Sequence, residues 1–256
     1  MPSIRIGETE LSLVKDNVYK IETSKLILDS INDNMEQHNI DINLNIHTSS
    51  LAKRKSHPHG NIEAEIKASS IMPLTNFLLK KENKQGVSFD VILHFIGNIG
   101  NQLTFLKNQG FSIPFFSLED IIVIDEIVFA FVNNDKVFKI DNDGISGQRN
   151  IITIDYPIIY DAHTSFIPPN IGFHDSSSSS SSSGQRARDM KLPIHVHFSA
   201  AFYSLAQICF YVFLRKKIKD QEDYEKEASP FIYTSLYWCL KRCLDKDENR
   251  RILLYV

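Results

Sequence analysis

Cysteine is scarce in this chain, and its scarcity excludes one class at once. Three residues, Cys209, Cys239 and Cys243, cannot build a disulfide framework in 256 residues. Cys239 and Cys243 stand one helical turn apart, the spacing of ordinary buried residues, and are expected in a core rather than on a metal. Charge of one sign is lacking too: 28 Lys and Arg against 31 Asp and Glu leave a net charge of −3, no general pull toward nucleic acid or an anionic membrane. No charged-then-apolar segment opens the sequence, so a signal peptide is not expected and a reduced, cytoplasmic setting is. Glycine is sparse in the front part, where Gly7 is the only one before Gly60. Long apolar runs are missing except "FSAAFYSLAQICFYVFL" (198–214), followed by "RKKIK". That run carries Ser199, Ser204 and Gln207 and is slightly short for a bilayer span. A core helix is the expectation, with a membrane-associated structural protein anchored through 198–214 as an alternative.

What is present suffices for a sizeable core, since 43 % of residues are hydrophobic and the length allows one large domain or two modest ones. The first 80 residues are polar and weakly patterned. "NVYKIE" (17–22) reads as a strand. "TSKLILDSINDNMEQH" reads as a helix capped by Thr23 or Ser24, with Leu26, Ile27, Ile31 and Met35 on one side. "LAKRKSHPHG" (51–60) is a loop, and "IMPLTNFLLKK" an extended segment turning into a helix. From 87 onward Ile92, Ile96, Ile99, Leu103 and Leu106 mark an amphipathic helix ended by Gly110. "IIVID" and "IVFAFVN" follow as strands around a turn at Asp125 and Glu126, then "KVFKID" and "NIITID" around a turn at Gly144 to Gly147. Ser176 to Ser183 is an unbroken serine tract, expected to be disordered. The last helix, "FIYTSLYWCLKRCLDKDENRRILLYV", turns Leu236, Cys239 or Leu240, and Cys243 inward.

The order and spacing of these segments resemble the large lobe of the protein kinase superfamily. The helix ending at Gly110 resembles the one before the catalytic loop, and Glu119 and Asp120 match the Glu-Asn pair that closes that loop. Thirteen residues beyond Asp120, Asn133, Asn134 and Asp135 stand at the Asp-Phe-Gly element. "FIPP" (166–169) is similar to the Ala-Pro-Glu element, with Asn170 at its Glu. "AFYSLAQICFYVFL" resembles the central buried helix, with Ala201 at its loop-steadying aspartate, and Arg251 matches the late-helix arginine. Lys20 in "VYKI" matches the strand lysine that would bind nucleotide. The resemblance covers about residues 85–256 and extends less specifically forward.

It implies an α+β, two-lobed, protein-kinase-like fold: a reduced N-lobe at 1–78 without its glycine-rich loop, and a mainly helical C-lobe at 79–256 with a disordered Ser-rich loop at 174–190. It also implies lost chemistry. Phosphoryl transfer needs metal ligands, a lysine on the phosphates and a carboxylate that accepts the hydroxyl proton. Phe115 stands at that carboxylate, Pro114 at the arginine before it, and Ser117 at the loop lysine. Asn133 stands at the main metal-binding aspartate, leaving Asp120 as the one metal candidate. Glu119, Asn170, Ala201 and Arg251 take structural positions.

The expectation is therefore a catalytically inactive kinase-like domain, a pseudokinase, acting as a regulatory or scaffolding module. Its partner would be a protein, an active kinase or its substrate; nucleic acid and membrane are not expected, nor is a cofactor. The alternative is a divergent Ser/Thr kinase using Lys20 and Asp120 with ATP and Mg²⁺. The bias toward Ile, Asn, Asp and Lys, with the shortened lobe, is similar to kinase-like proteins of large DNA viruses, which would place it in host cytoplasm. Of His163, His174, His195 and His197, the "HVH" pair (195–197) shares one strand face; a packed or solvated pair is expected there rather than zinc ligands.

Overall fold

The computed structural model describes residues 3–43, 61–141, 150–158, 160–161, 163–169, 171, 192–218 and 221–253. In chain order its elements are β1 (Ser3–Ile6), β2 (Thr9–Lys15), β3 (Val18–Ser24), α1 (Lys25–Gln37), β4 (Ile42–Asn43), β5 (Asn61–Lys67), β6 (Ile71–Pro73), α2 (Leu74–Leu79), α3 (Phe89–Asn108), β7 (Phe111–Ser112), β8 (Phe116–Ser117), β9 (Ile121–Ile124), β10 (Val128–Phe131), β11 (Phe138–Asp141), β12 (Ile151–Ile154), β13 (Ser165–Phe166), β14 (Ile194–His197), α4 (Ala200–Leu214), α5 (Gln221–Glu227) and α6 (Ser235–Cys243). The protein is mixed α+β, with several antiparallel sheets. Two compact units divide it: Met1–Leu106 with Glu119–Asp135, and Lys107–Leu118 with Lys136–Val256. The boundary expected at 78/79 falls inside the first. The loop at 51–60, the Gly144 to Gly147 turn and the serine tract lie outside the described residues.

In the first unit a five-stranded sheet runs in the order β1-β2-β3-β5-β4. Its pleat explains the weak sequence pattern. Leu11, Ile21, Ala64 and Ile66 turn inward, while Arg5, Glu10, Lys20, Glu22, Glu63 and Glu65 alternate with them on the other face. One greasy face is enough to fix the register. Ser24 caps α1 by accepting from the Ile27 N–H at 3.3 Å, and Ile27, Leu28, Ile31 and Met35 are buried. Leu26, expected on that face, is only half-buried; Leu28 takes the position.

A second sheet in this unit, β10-β9-β6, turns at Asp125 (φ 49°) and Glu126 (φ 63°) as the sequence suggested. Ile122, Ile124, Val128 and Ala130 join Leu11, Ile21 and Leu28 in one core. α3 buries all five residues of its predicted stripe, and adds two polar ones, Asn98 and Gln102. Asn98 Oδ1 accepts from the Phe129 N–H at 3.0 Å. Gln102 accepts from the Phe131 N–H at 2.9 Å and donates to its carbonyl at 2.7 Å. Helix side chains thus pair with β10 as a neighbouring strand would.

In the second unit a sheet ordered β14-β12-β11-β7 and the small pair β13-β8 accompany α4, α5 and α6. Phe115, Phe138, Ile140, Ile152, Ile154, Val196 and Ala200 form its core cluster. α4 has 15 residues, 11 of them buried, and is short of the roughly 20 a bilayer requires. Among the described residues no helix is long and apolar enough to cross a membrane.

The charged connection after α4 forms α5, which the sequence reading missed. It is held by Tyr224, fully buried, whose hydroxyl donates to the Tyr237 carbonyl at 2.7 Å. Burial pushes that phenol well above its ordinary pKa. α6 is shorter than expected and stops at Cys243. The reason is local: Asp245 accepts from the Asp247 N–H at 2.9 Å and Asp247 from the Asn249 N–H at 3.0 Å. Such side-chain bonds to the backbone compete with the helical ladder and end it.

Candidate functional site

The first unit brings two of the expected residues together. β9 begins just after Asp120, and β10 runs out into Asn133, with the Val132 N–H donating to the Asp120 carbonyl at 2.9 Å. This backbone bond sets the side chains against each other. Asn133 Nδ2 donates to Asp120 Oδ1 at 2.6 Å, and Asn133 Oδ1 accepts from the Asp135 N–H at 3.1 Å. Both ends of the amide are engaged, so its orientation is fixed. Asp120 is 2 % exposed.

Gly7 closes over the same cluster from the β1–β2 turn. Its φ is +58°, a left-handed conformation that glycine adopts without steric cost. A Cβ there would collide with Asn133 Oδ1 and stand 2.9 Å from Asp135 Oδ2. Close by, Thr9 donates to the Val132 carbonyl at 2.5 Å and Ser24 to Asn134 Oδ1 at 2.8 Å.

This arrangement does not fit Mg²⁺. A hard cation takes oxygen ligands, whereas Asn133 presents an N–H to the carboxylate and keeps its oxygen on a backbone donor. Among the described residues no group of three His, Cys, Asp or Glu is placed to hold a metal ion.

Phe115 and Ser117 belong to the second unit and meet around a residue the sequence reading missed, Lys136. Phe115 is fully buried, edge-on to Tyr160 with centroids 6.1 Å apart. The Lys136 ammonium lies 4.4 Å from the Phe115 ring centroid and donates to Ser117 Oγ at 2.8 Å. Ser117 Oγ is also 2.6 Å from Ser165 Oγ, across the β8–β13 pair. Lys136, Ser117 and Ser165 are each under 7 % exposed, so these groups tie β8, β13 and the segment before β11 together rather than meet a solute. The amine and the second hydroxyl reach Ser117 from 19 and 48 residues away, which no local pattern announces.

Ala201 is buried in α4 and has no polar atom beyond its backbone. One turn further on, Ser204 Oγ accepts from the Phe116 N–H at 2.7 Å and donates to the Phe166 carbonyl. Lys20 lies on the outward face of the first sheet, opposite the face packed by α1, and pairs with Glu63 of β5 at 2.6 Å. That carboxylate and its hydrogen bond raise the lysine's pKa. Glu119 is exposed.

Arg251 sits beyond α6, not on it; its Nε donates to the Asp245 carbonyl at 2.8 Å and its guanidinium covers the Tyr203 ring at 4.8 Å. Asn170 and His174 lie outside the described residues. His195 is exposed beside Thr153, while His197 is buried with Nδ1 2.8 Å from Ser199 Oγ. The three cysteines are free and buried, and burial drives the Cys209 thiol up.

No family model matches the chain, and no curated protein matches it.

Proposed function

We propose that this chain is a catalytically inactive, protein-kinase-like domain that works as a regulatory or scaffolding module for a protein partner. The observation that carries the reading is Phe115. At the position where the resemblance requires a proton-accepting carboxylate, a phenyl ring with no exposed surface is packed against Tyr160 and under the Lys136 ammonium. A ring can accept no proton from a substrate hydroxyl.

Three further features support it. The helix α1 directly follows a third strand that carries Lys20, the order of lysine strand and helix that kinases use. That lysine pairs with a strand carboxylate, Glu63, instead of a helix glutamate. Ser204, on the helix that resembles the central buried one, still holds the backbone of the loop through Phe116.

The test is direct. Purified protein, incubated with ATP and Mg²⁺ or Mn²⁺ and generic protein acceptors, is expected to transfer no phosphate, and ATP with either metal is expected not to raise its melting temperature. Phosphate transfer that disappears in Asn133→Ala would establish the active-kinase alternative instead.

A further inference from the structure

We infer that His38 and His94 form a two-histidine site for a divalent transition metal of the Zn²⁺ class, which braces the end of α1 against the start of α3. Neither residue takes part in the kinase-like resemblance.

Both helices belong to the first unit, and they meet along a polar seam. Residues four apart on α1 face residues four apart on α3, in reverse order, so each step along the seam is one helical turn. At the first step Gln102 Nε2 donates to Ser30 Oγ at 2.8 Å. At the second, Asn34 Nδ2 donates to the Asn98 carbonyl at 2.9 Å, and Asn34 Oδ1 accepts from Asn101 at 3.1 Å. At the third stand His38 and His94. The side chains of the first two steps are hydrogen-bonded across the seam. At the third, among the described residues, no ring nitrogen of either histidine has a hydrogen-bond partner.

Their separation suits a shared metal. The ring centroids are 5.3 Å apart, with the planes at 69°. A tetrahedral Zn²⁺ with nitrogens at about 2.0–2.1 Å sets the centroids of two ligating imidazoles about 5 Å apart. The backbone that carries His38 is already fixed. Its N–H donates to the Met35 carbonyl at 3.1 Å, and buried Ile40 donates to the same carbonyl at 3.0 Å. His94 lies in the second turn of α3 and is exposed, while His38 is half-buried, so a hydrated cation can enter.

Two imidazoles select Zn²⁺, Ni²⁺ or Cu²⁺ over Mg²⁺ or Ca²⁺, which take oxygen ligands. Among the described residues no third His, Cys, Asp or Glu joins them, so water fills the remaining positions. Binding is therefore weaker than at a closed structural zinc site.

The experiment follows the imidazole resonances of the full chain by ¹⁵N NMR as ZnCl₂ is added, with MgCl₂ as the control. The His38 and His94 rings are expected to shift together, ahead of the other histidines, and to ignore Mg²⁺. In calorimetric titrations, His38→Gln and His94→Gln should each weaken zinc binding by at least the roughly tenfold that loss of an outer-shell partner costs. Rings unmoved by Zn²⁺, or one moving without the other, would overturn the site and leave an edge-on ring contact alone. Affinity that survives both substitutions would overturn it too, since the zinc would then sit on other histidines. His94 is exposed, so its variant decides the matter should His38→Gln not fold. Phosphate transfer by the wild type would overturn the proposed function and leave this result untouched.

Discussion

The two units treat the positions singled out in them in opposite ways. In the first, Asp120 and Asn133 remain polar and satisfy each other through a 2.6 Å bond. In the second, Phe115 is part of the core, and the Lys136 amine rests on its face. An exchange of atoms between partners can be reversed by another exchange. Filling a position with a ring cannot, because removing the ring leaves a hole in the core cluster it shares with Ile152, Ile154 and Ile158. The second unit's arrangement is thus built into its packing, while that of the first rests on a hydrogen bond.

The largest expected effect breaks the packed side. Phe115→Ala should cost about 3–5 kcal/mol, read as a lower urea midpoint; a cost under about 1 kcal/mol would mean the ring is not integral to the core. Next comes its polar anchor. Ser204→Ala removes the hydroxyl to which the buried Phe116 N–H donates and should cost about 1–3 kcal/mol, with hydrogen exchange at Phe116 rising accordingly.

Protonation offers a smaller probe of both units. His197 is held below its ordinary pKa of 6.5, chiefly by burial, with Glu248 opposing and Arg251 assisting. His38, packed 5.3 Å from His94, is lowered by burial and then by that ring. For a lowered histidine the unfolded chain takes up the proton first as pH falls. Stability should therefore be flat above about pH 6.5, decline below it, and level off once the folded group also protonates. His197→Asn and His38→Asn should each flatten part of that decline in urea midpoints measured across it. The smallest effect is expected at Lys20. Its pair with Glu63 is partly solvated, so Lys20→Met should change stability by no more than about 0.5 kcal/mol; a larger loss would point to a role beyond the surface pair.

Much of the helical framework was legible because period and punctuation agree there. The stripe of α3 and its Gly110 terminus, the Asp125–Glu126 turn and the inward face of α6 all follow from neighbours within a few residues. The front sheet was hidden because its outward positions are charged, so β1, β2 and β5 read as polar chain. α5 was hidden for a similar reason: one buried tyrosine holds a run of charges. At the site, Asp120 and Asn133 were placed together only by the kinase resemblance. Lys136, Ser165 and Ser204 could not be placed, since they reach their partners across 19, 48 and 88 residues.

Gln102 carries a last consequence. Its amide, with Asn98, occupies the Phe129 N–H and both backbone groups of Phe131. An extended peptide seeking to zip onto that margin of β10 would have to displace three satisfied bonds and a helix. Recruitment by strand addition is closed off along this hairpin, which also spares the Ile- and Phe-rich segment from templating fibrils.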